Sequence, residues 1–542
     1  MPGLRFTRSP RALALASAGA AVVLVAAILV LVVPGLLGPR PSAPTTLSAS
    51  PDSADPFRPV YHNAPPVHWM NDPQRPLLIG GVWHAYYLYN ADFPHGNGTS
   101  WRHMTSTDLV HWKDEGVAIE KFGNGLGDVE TGSVVVDSEG TAGFGKGAIV
   151  ALLTQQLDGV QRQSLFGSTD GGRSFVSSPA NPVMENPGQK DWRDPKIFRD
   201  EAHHEWVMAL AEGGKIGFYT SSDLRTWRYA SGFEAQGLGV LECPDLFELN
   251  LDGDPQKPRW VLLAGANGAS EGRTTGTVYW TGSWDGTTFV PDGQDGQRGT
   301  GGQPRHQWAD DGPDFYATVT WDDPRLSPAE RGESRYMMAW MNNWAYANGL
   351  PTGAWQGEDS IVRKIRLATV DGGARLISEP LPALGDGRAT NRVSPETLGE
   401  APLERAQPDD GAFTLEAEFS RDAGDTGHEA RIVLTSAGAP YATVGYDFAA
   451  GQAFLVRGAD AFHPPQPQEA LYRAARTAPG RPGADRVRLR VLVDRSSVEV
   501  FIDDGERSLT ALTFPPRGDR GYNVQTAGGT LGLRSLAETP LG

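Results

Sequence analysis

Cysteine is almost missing from this chain: Cys243 is the only one among 542 residues. That excludes an internal disulfide framework and any cysteine-built metal cluster. It leaves the compartment open, because many exported proteins lack cysteine. Basic charge is also scarce. Forty-eight Lys and Arg face 65 Asp and Glu, and four of the arginines lie in the first 40 residues, which hold no acid. The remainder sets 44 basic against 65 acidic side chains, a balance of −21 that repels phosphate backbones. Nucleic acid is thereby excluded as a partner, whereas a neutral ligand meets no such penalty. Convincing amphipathic helical patterns are absent, and long apolar runs occur only at the amino terminus.

What is abundant is Gly (66) and Pro (41), about a fifth of the chain together, as in turn-dense β proteins. Fifteen Trp, 14 Tyr and 20 Phe supply a core, so wholesale disorder is excluded. The length predicts two or more domains.

Residues 12–39 carry no charged side chain, and Val22–Val33 is purely aliphatic. The stretch is long enough to span a bilayer and longer than a usual export h-region. Arg5, Arg8 and Arg11 precede it, which orients the amino terminus to the cytoplasm. Residues 1–40 therefore read as a transmembrane signal anchor in preference to a cleaved signal peptide. Either way the rest is extracytoplasmic, cell-surface anchored or secreted, with membrane contact only through this helix. Residues 41–57, rich in Pro, Ser and Thr, form a flexible spacer.

Beyond Val60 come short apolar runs bounded by Gly, Pro, Asn and Asp, which read as strands. A weak repeat organises them. Ser106–Trp112, Ser168–Phe175, Ser221–Trp227 and Ser283–Phe289 each have Ser, an Asp two residues on, and an aromatic four or five further. They recur at 53–62 residue intervals, the size of a four-stranded propeller blade. The plainer reading is a common turn, with Asp capping a hairpin. One more unit through Tyr336–Leu367 makes a five-bladed β-propeller over residues 58–385. The pattern breaks around Leu376–Leu403. Residues 400–542 then read as an antiparallel β-sandwich, with Asp503-Asp504-Gly505 as a hairpin turn. The fold class is all-β.

Three acids keep unusual company: Asp72 in His68–Pro73, Asp194 in Trp192–Pro195, and Glu242 before Cys243-Pro244. A following proline restricts the backbone that presents a carboxylate. Nearby Trp and Asn offer a sugar a ring face and hydrogen bonds. Two carboxyl groups in different environments are what glycoside hydrolysis needs, one ionised and one protonated. Propeller blades bring such distant residues to a common axis.

These blocks, with Thr107–Trp112, Gly132-Ser133, Trp340–Trp344 and Asp494–Phe501, resemble the signature blocks of glycoside hydrolase family 32, the invertase, levanase and fructanase group. The resemblance spans about residues 58–540. It implies a propeller plus a sandwich and retaining hydrolysis of β-fructofuranosides. By that resemblance Asp72 is the nucleophile, Glu242 the acid/base and Asp194 the transition-state stabiliser, with Arg193 close by. Trp69, Asn71, Trp101 and Ser133 line the fructose pocket, and Cys243 tunes Glu242 or simply fills space. No cofactor and no metal are expected. His62, His68, His84, His95, His103 and His111 lack an i, i+4 metal spacing and read as core or surface residues.

Three departures stand out: Gln74-Arg75-Pro76 where the family has Asn-Gly, Leu88 where it has Gln, and Glu130 where it has an aromatic. Glu130 is read as an extra hydroxyl acceptor in the pocket. The first departure and the stretch Tyr86–Trp101 look similar to levan-directed members. The expected substrate is a fructan, foremost β-2,6-linked levan. A levan fructotransferase releasing a cyclic difructose, a sucrose- or inulin-directed enzyme, and a non-catalytic fructan-binding module are the alternatives.

Overall fold

The computed structural model describes residues 55–541 apart from 294–304, 385, 386, 388, 409, 410, 459–461 and 482. The predicted anchor and most of the spacer lie outside the described residues. No helix among the described residues is long and apolar enough to cross a membrane.

Five antiparallel sheets of four main strands follow one another along the chain. Their first strands are His68–Ile79, Asp128–Asp137, Trp192–Asp200, Glu242–Asn250 and Tyr316–Trp321. Each first strand touches the next, and the fifth meets the first, so the sheets close a ring as blades 1 to 5. Trp355–Gln356 adds a short parallel strand to blade 1, tying the late chain to the early chain. The fifth blade begins at Tyr316, before the unit read from Tyr336, and its outer strand Gly373–Pro380 carries the propeller past Leu376.

The Ser-x-Asp repeat is the hairpin joining the third and fourth strands of blades 1 to 4. In each, one Asp oxygen accepts two backbone N–H groups: Asp108 from Val110 and His111, Asp170 from Arg173 and Ser174, Asp223 from Arg225 and Thr226, Asp285 from Thr287 and Thr288. The turn and the blade readings are therefore both right, because a blade needs that corner at its outer edge. Blade 5 turns instead through Asp371-Gly372, both at positive φ, and has no such motif.

A seven-stranded and a six-stranded sheet follow. Phe413, Leu415, Val491 and Leu533 of one share a core with Ile432, Val444, Leu455 and Val524 of the other. The hairpin at Asp503-Asp504-Gly505 joins Ser497–Ile502 to Arg507–Leu512, with all three turn residues at positive φ.

The sandwich is fastened to the propeller by buried charge. Arg363 of blade 5 has no exposed side-chain surface; it bonds Asp310 at 2.9 Å, Ser508 at 3.0 Å, and Glu499 of the sandwich. His62 bridges Asp494 and Glu499 at 2.9 Å each. Burial works against its charge, but those two carboxylates hold its pKa at about 10. Removing Arg363 takes the ion-pair partner from buried Asp310, which keeps hydroxyl and N–H donors, and leaves Glu499 to His62. Arg363→Ala is therefore expected to cost about 3–5 kcal/mol, read as a lower denaturant midpoint. An unchanged midpoint would show that water replaces the guanidinium.

Candidate active site

Each of the five inner strands carries a β-bulge at the same height near its beginning. Register slips occur around Asp72, between Val129 and Gly132, around Asp194-Pro195, between Glu242 and Asp245, and between Tyr316 and Val319. A bulge breaks the two-residue alternation and turns an extra side chain out of the ladder, here toward the ring axis. Proline tolerates such a place, since the ladder hydrogen bond is already lost. Asp194 (φ 65) and Cys243 (φ 47) hold left-handed backbone, each just before a proline.

The three acids meet there, from blades 1, 3 and 4. Asp72 accepts from Thr131 Oγ1 at 2.6 Å and from Asn71 Nδ2 at 3.0 Å. Asn71 is itself oriented by Trp69 Nε1 at 2.8 Å. The Cys243 thiol lies 3.5 Å from Asp72 and 3.7 Å from Asp194, and its backbone N–H donates to Asp194 at 3.0 Å. Cys243 thus faces those two acids and not Glu242, its neighbour in sequence, because the bulge swings successive side chains apart. Arg193 likewise serves Glu242: Nε and Nη2 reach its Oε1 at 3.1 and 2.8 Å, while Nη1 holds Asp191 at 2.8 Å. Tyr316 donates to the other Glu242 oxygen.

Electrostatics follow from burial. Burial raises the Asp72 pKa, with the nearby Glu242 adding, while Thr131 and Asn71 oppose it. Burial pushes Asp194 up to about 7, with Glu242 and Asp72 adding against Arg193. Burial also keeps the Tyr316 phenol and the Cys243 thiol protonated.

The sign gives a test. The folded value of Asp194 lies above its ordinary value near 4, so wild type loses stability as pH rises from about 4 through 7. Asp194→Asn escapes that loss. Its melting temperature is expected to match wild type at about pH 4 and exceed it by ~2 °C or more at about pH 8. Calorimetry at both pH values checks this; a variant less stable at the higher pH would contradict it.

Two other residues read as pocket lining lie behind it. Trp101 is fully buried, stacked on Tyr86, with Nε1 on the Glu130 carbonyl at 2.9 Å. Ser133 is fully buried one step deeper along its strand, where it bridges blades: it donates to the Pro195 carbonyl and accepts from Ile197 N–H. Trp69 is buried in an aromatic wall with Phe93, Trp340 and the half-exposed Trp344. Of the three departures, Leu88 is core and Gln74 is a buried tie, donating to the Asp72 carbonyl and accepting from Gly132 N–H. Of these, Glu130 has its carboxyl close enough to Asp194 and Asp72 to feel their charge. Thr131 and Tyr316 carried no signal in isolation, since their partners lie 59 and 74 residues away.

Residues 62–380 match the sequence profile of the glycosyl hydrolases family 32 N-terminal domain, and 386–538 that of the family 32 C-terminal domain. The chain belongs to glycosyl hydrolase family 32. It is 40% identical over 489 residues to a levanbiose-producing levanase of Bacillus subtilis (strain 168), covering 89% of this chain and 90% of that one. A levanbiose-producing levanase of Geobacillus stearothermophilus is 50% identical over 317 residues, 58% of this chain and 77% of the other. The crystal structure of exo-inulinase from Aspergillus awamori superposes with a TM-score of 0.81 at 30% identity, over 90% of this chain and 99% of that one. In this family 32 chain the buried Asp72 and Asp194 and the half-buried Glu242, from three different blades, meet at the axial bulges.

Proposed function

We propose that the chain hydrolyses β-fructofuranosidic bonds in fructans with retention, acting first on β-2,6-linked levan. The observation that carries this is the convergence of Asp72, Asp194 and Glu242 around Cys243. The relatives named as levanases support the substrate.

Asp72 attacks the anomeric carbon and forms a fructosyl ester while Glu242 protonates the departing oxygen. The hydrogen bonds from Thr131 and Asn71 aim the Asp72 carboxylate and favour its charged form against the burial that raises its pKa. Having given its proton to the leaving sugar, Glu242 remains as a carboxylate held by Arg193 and takes a proton from the water that opens the ester in the second step. Asp194, held by the Cys243 N–H, binds fructosyl hydroxyls as positive charge grows on the ring. Asp194→Asn is therefore expected to lower kcat more than it raises KM.

Chromatography with mass analysis of products from levan, inulin and sucrose tests the reading. Short linear fructans or fructose from levan support it. A dimer one water lighter than difructose would make the enzyme a fructotransferase, with a sugar hydroxyl outcompeting water. We place the activity outside the cytoplasm, with residues 12–39 anchoring or exporting the chain.

A further inference from the structure

Blade order gives the pocket a direction. Glu242 and Tyr316, from blades 4 and 5, stand where the leaving group departs, since the acid must reach the scissile oxygen. Asp72 and Asp194, from blades 1 and 3, flank the sugar being transferred. Blade 2 lies between those two, on the side away from Glu242, and its bulge presents Glu130. Whatever precedes the transferred sugar in the chain runs toward blade 2.

Glu130 is held rigidly but has little to hold. Its carbonyl is fixed by Trp101 Nε1 at 2.9 Å, and its carboxyl takes one long hydrogen bond, 3.4 Å from Gln161 Nε2. Arg193 is near but committed to Glu242 and Asp191. Gln161, 5% exposed, is itself pinned, with Oε1 accepting from Trp192 N–H at 2.8 Å and Arg193 Nη1 at 3.4 Å. Beyond it the hairpin tip exposes Leu157 and Val160, and the adjoining turn exposes Phe122, whose N–H bonds the Gly127 carbonyl. A polar wall opening onto an apolar rim suits a sugar, which has hydroxyls on its edge and C–H groups on its faces.

On the fructan reading above, we propose that Glu130 and Gln161 bind the second fructosyl unit of the glycone, the one attached to the sugar between Asp72 and Asp194, so that the enzyme releases chain-end fructan two units at a time. Burial, with Asp128 and Asp194 adding, pushes Glu130 up to about 8, so at neutral pH its carboxyl both donates to and accepts from hydroxyls. Against the cost of keeping such a group beside Asp128, Asp194 and Asp72 stand the Arg193 charge and the long Gln161 hydrogen bond.

The test compares wild type, Glu130→Ala, Glu130→Gln and Gln161→Ala on levan, on levantriose and on sucrose, whose glycone is a single fructosyl unit. Wild type is expected to release levanbiose from levan. Glu130→Ala is expected to lower kcat/KM for levantriose about 10–100-fold more than for sucrose and to raise the share of free fructose from levan. Gln161→Ala moves both readouts the same way, and Glu130→Gln, which keeps the shape and the hydrogen bonding, recovers part of the loss. Equal losses on levantriose and sucrose would overturn the proposal, assigning Glu130 to the first sugar or to the fold. So would an unchanged product pattern in all three variants. Wild type giving only fructose from levan would overturn the two-unit claim while leaving fructan hydrolysis standing. No product from any of these substrates would instead overturn the function on which the claim rests.

Discussion

Asp72→Asn is expected to lower turnover of levan by about four powers of ten or more while the protein folds as before. The two halves of that result have separate causes. An amide oxygen is a far poorer nucleophile than a carboxylate, and with no ester formed the whole double displacement is lost. Folding survives because the substitution keeps the volume and removes a charge that burial disfavours. The Asn71 amide and the Thr131 hydroxyl still find partners, the hydroxyl by rotating to accept. A melting temperature equal to or above wild type at neutral pH, with turnover gone, meets both expectations. Asp72→Glu separates charge from position: it restores the carboxylate but displaces it by one methylene. It is expected to remain about a hundredfold or more below wild type, since small misplacements of a reacting atom are costly. Near-normal turnover of Asp72→Asn would remove Asp72 from the chemistry altogether.

The positions of these acids were legible in the sequence for a reason the bulges make physical. Asp72-Pro73, Asp194-Pro195 and Cys243-Pro244 each put proline where an inner strand leaves its ladder, so the punctuation marks the place where side chains turn to the axis. The blade repeat was legible because an outer hairpin needs an Asp to satisfy its backbone N–H groups, four times over. What stayed hidden depends on contacts between blades. Nothing local distinguishes Thr131 or Tyr316 from other polar strand residues until the ring closes and sets them against Asp72 and Glu242. The same closure takes Ser133 and Trp101, which sit in suggestive sequence, and packs them behind the pocket. Cys243 and Arg193 sit beside Glu242 and Asp194 in sequence, yet each serves the other's neighbour, because a bulge reverses which way adjacent side chains face.

Glu242→Gln is expected to slow levan turnover by about four powers of ten, and the way it fails identifies its role. The side chain is half-buried and its replacement still accepts from Arg193, which also retains Asp191, so the fold is expected to hold. What is lost is a proton for the leaving sugar and, later, a base for water. A β-fructofuranosyl fluoride needs no proton to expel its leaving group, so the first step is expected to be largely spared on that substrate. The fructosyl ester on Asp72 then waits for a nucleophile. Azide attacks without a base, and adding it is expected to restore turnover by a hundredfold or so, giving a fructosyl azide that retains the starting configuration. Retention is the informative part, because two successive inversions need the Asp72 ester between them. An inverted azide product would mean that azide had entered a vacancy left by the nucleophile, which would exchange the roles of Glu242 and Asp72. No rescue at all, with the protein folded, would mean that Glu242 only orients Arg193 and Tyr316 and that the proton comes from elsewhere in the pocket.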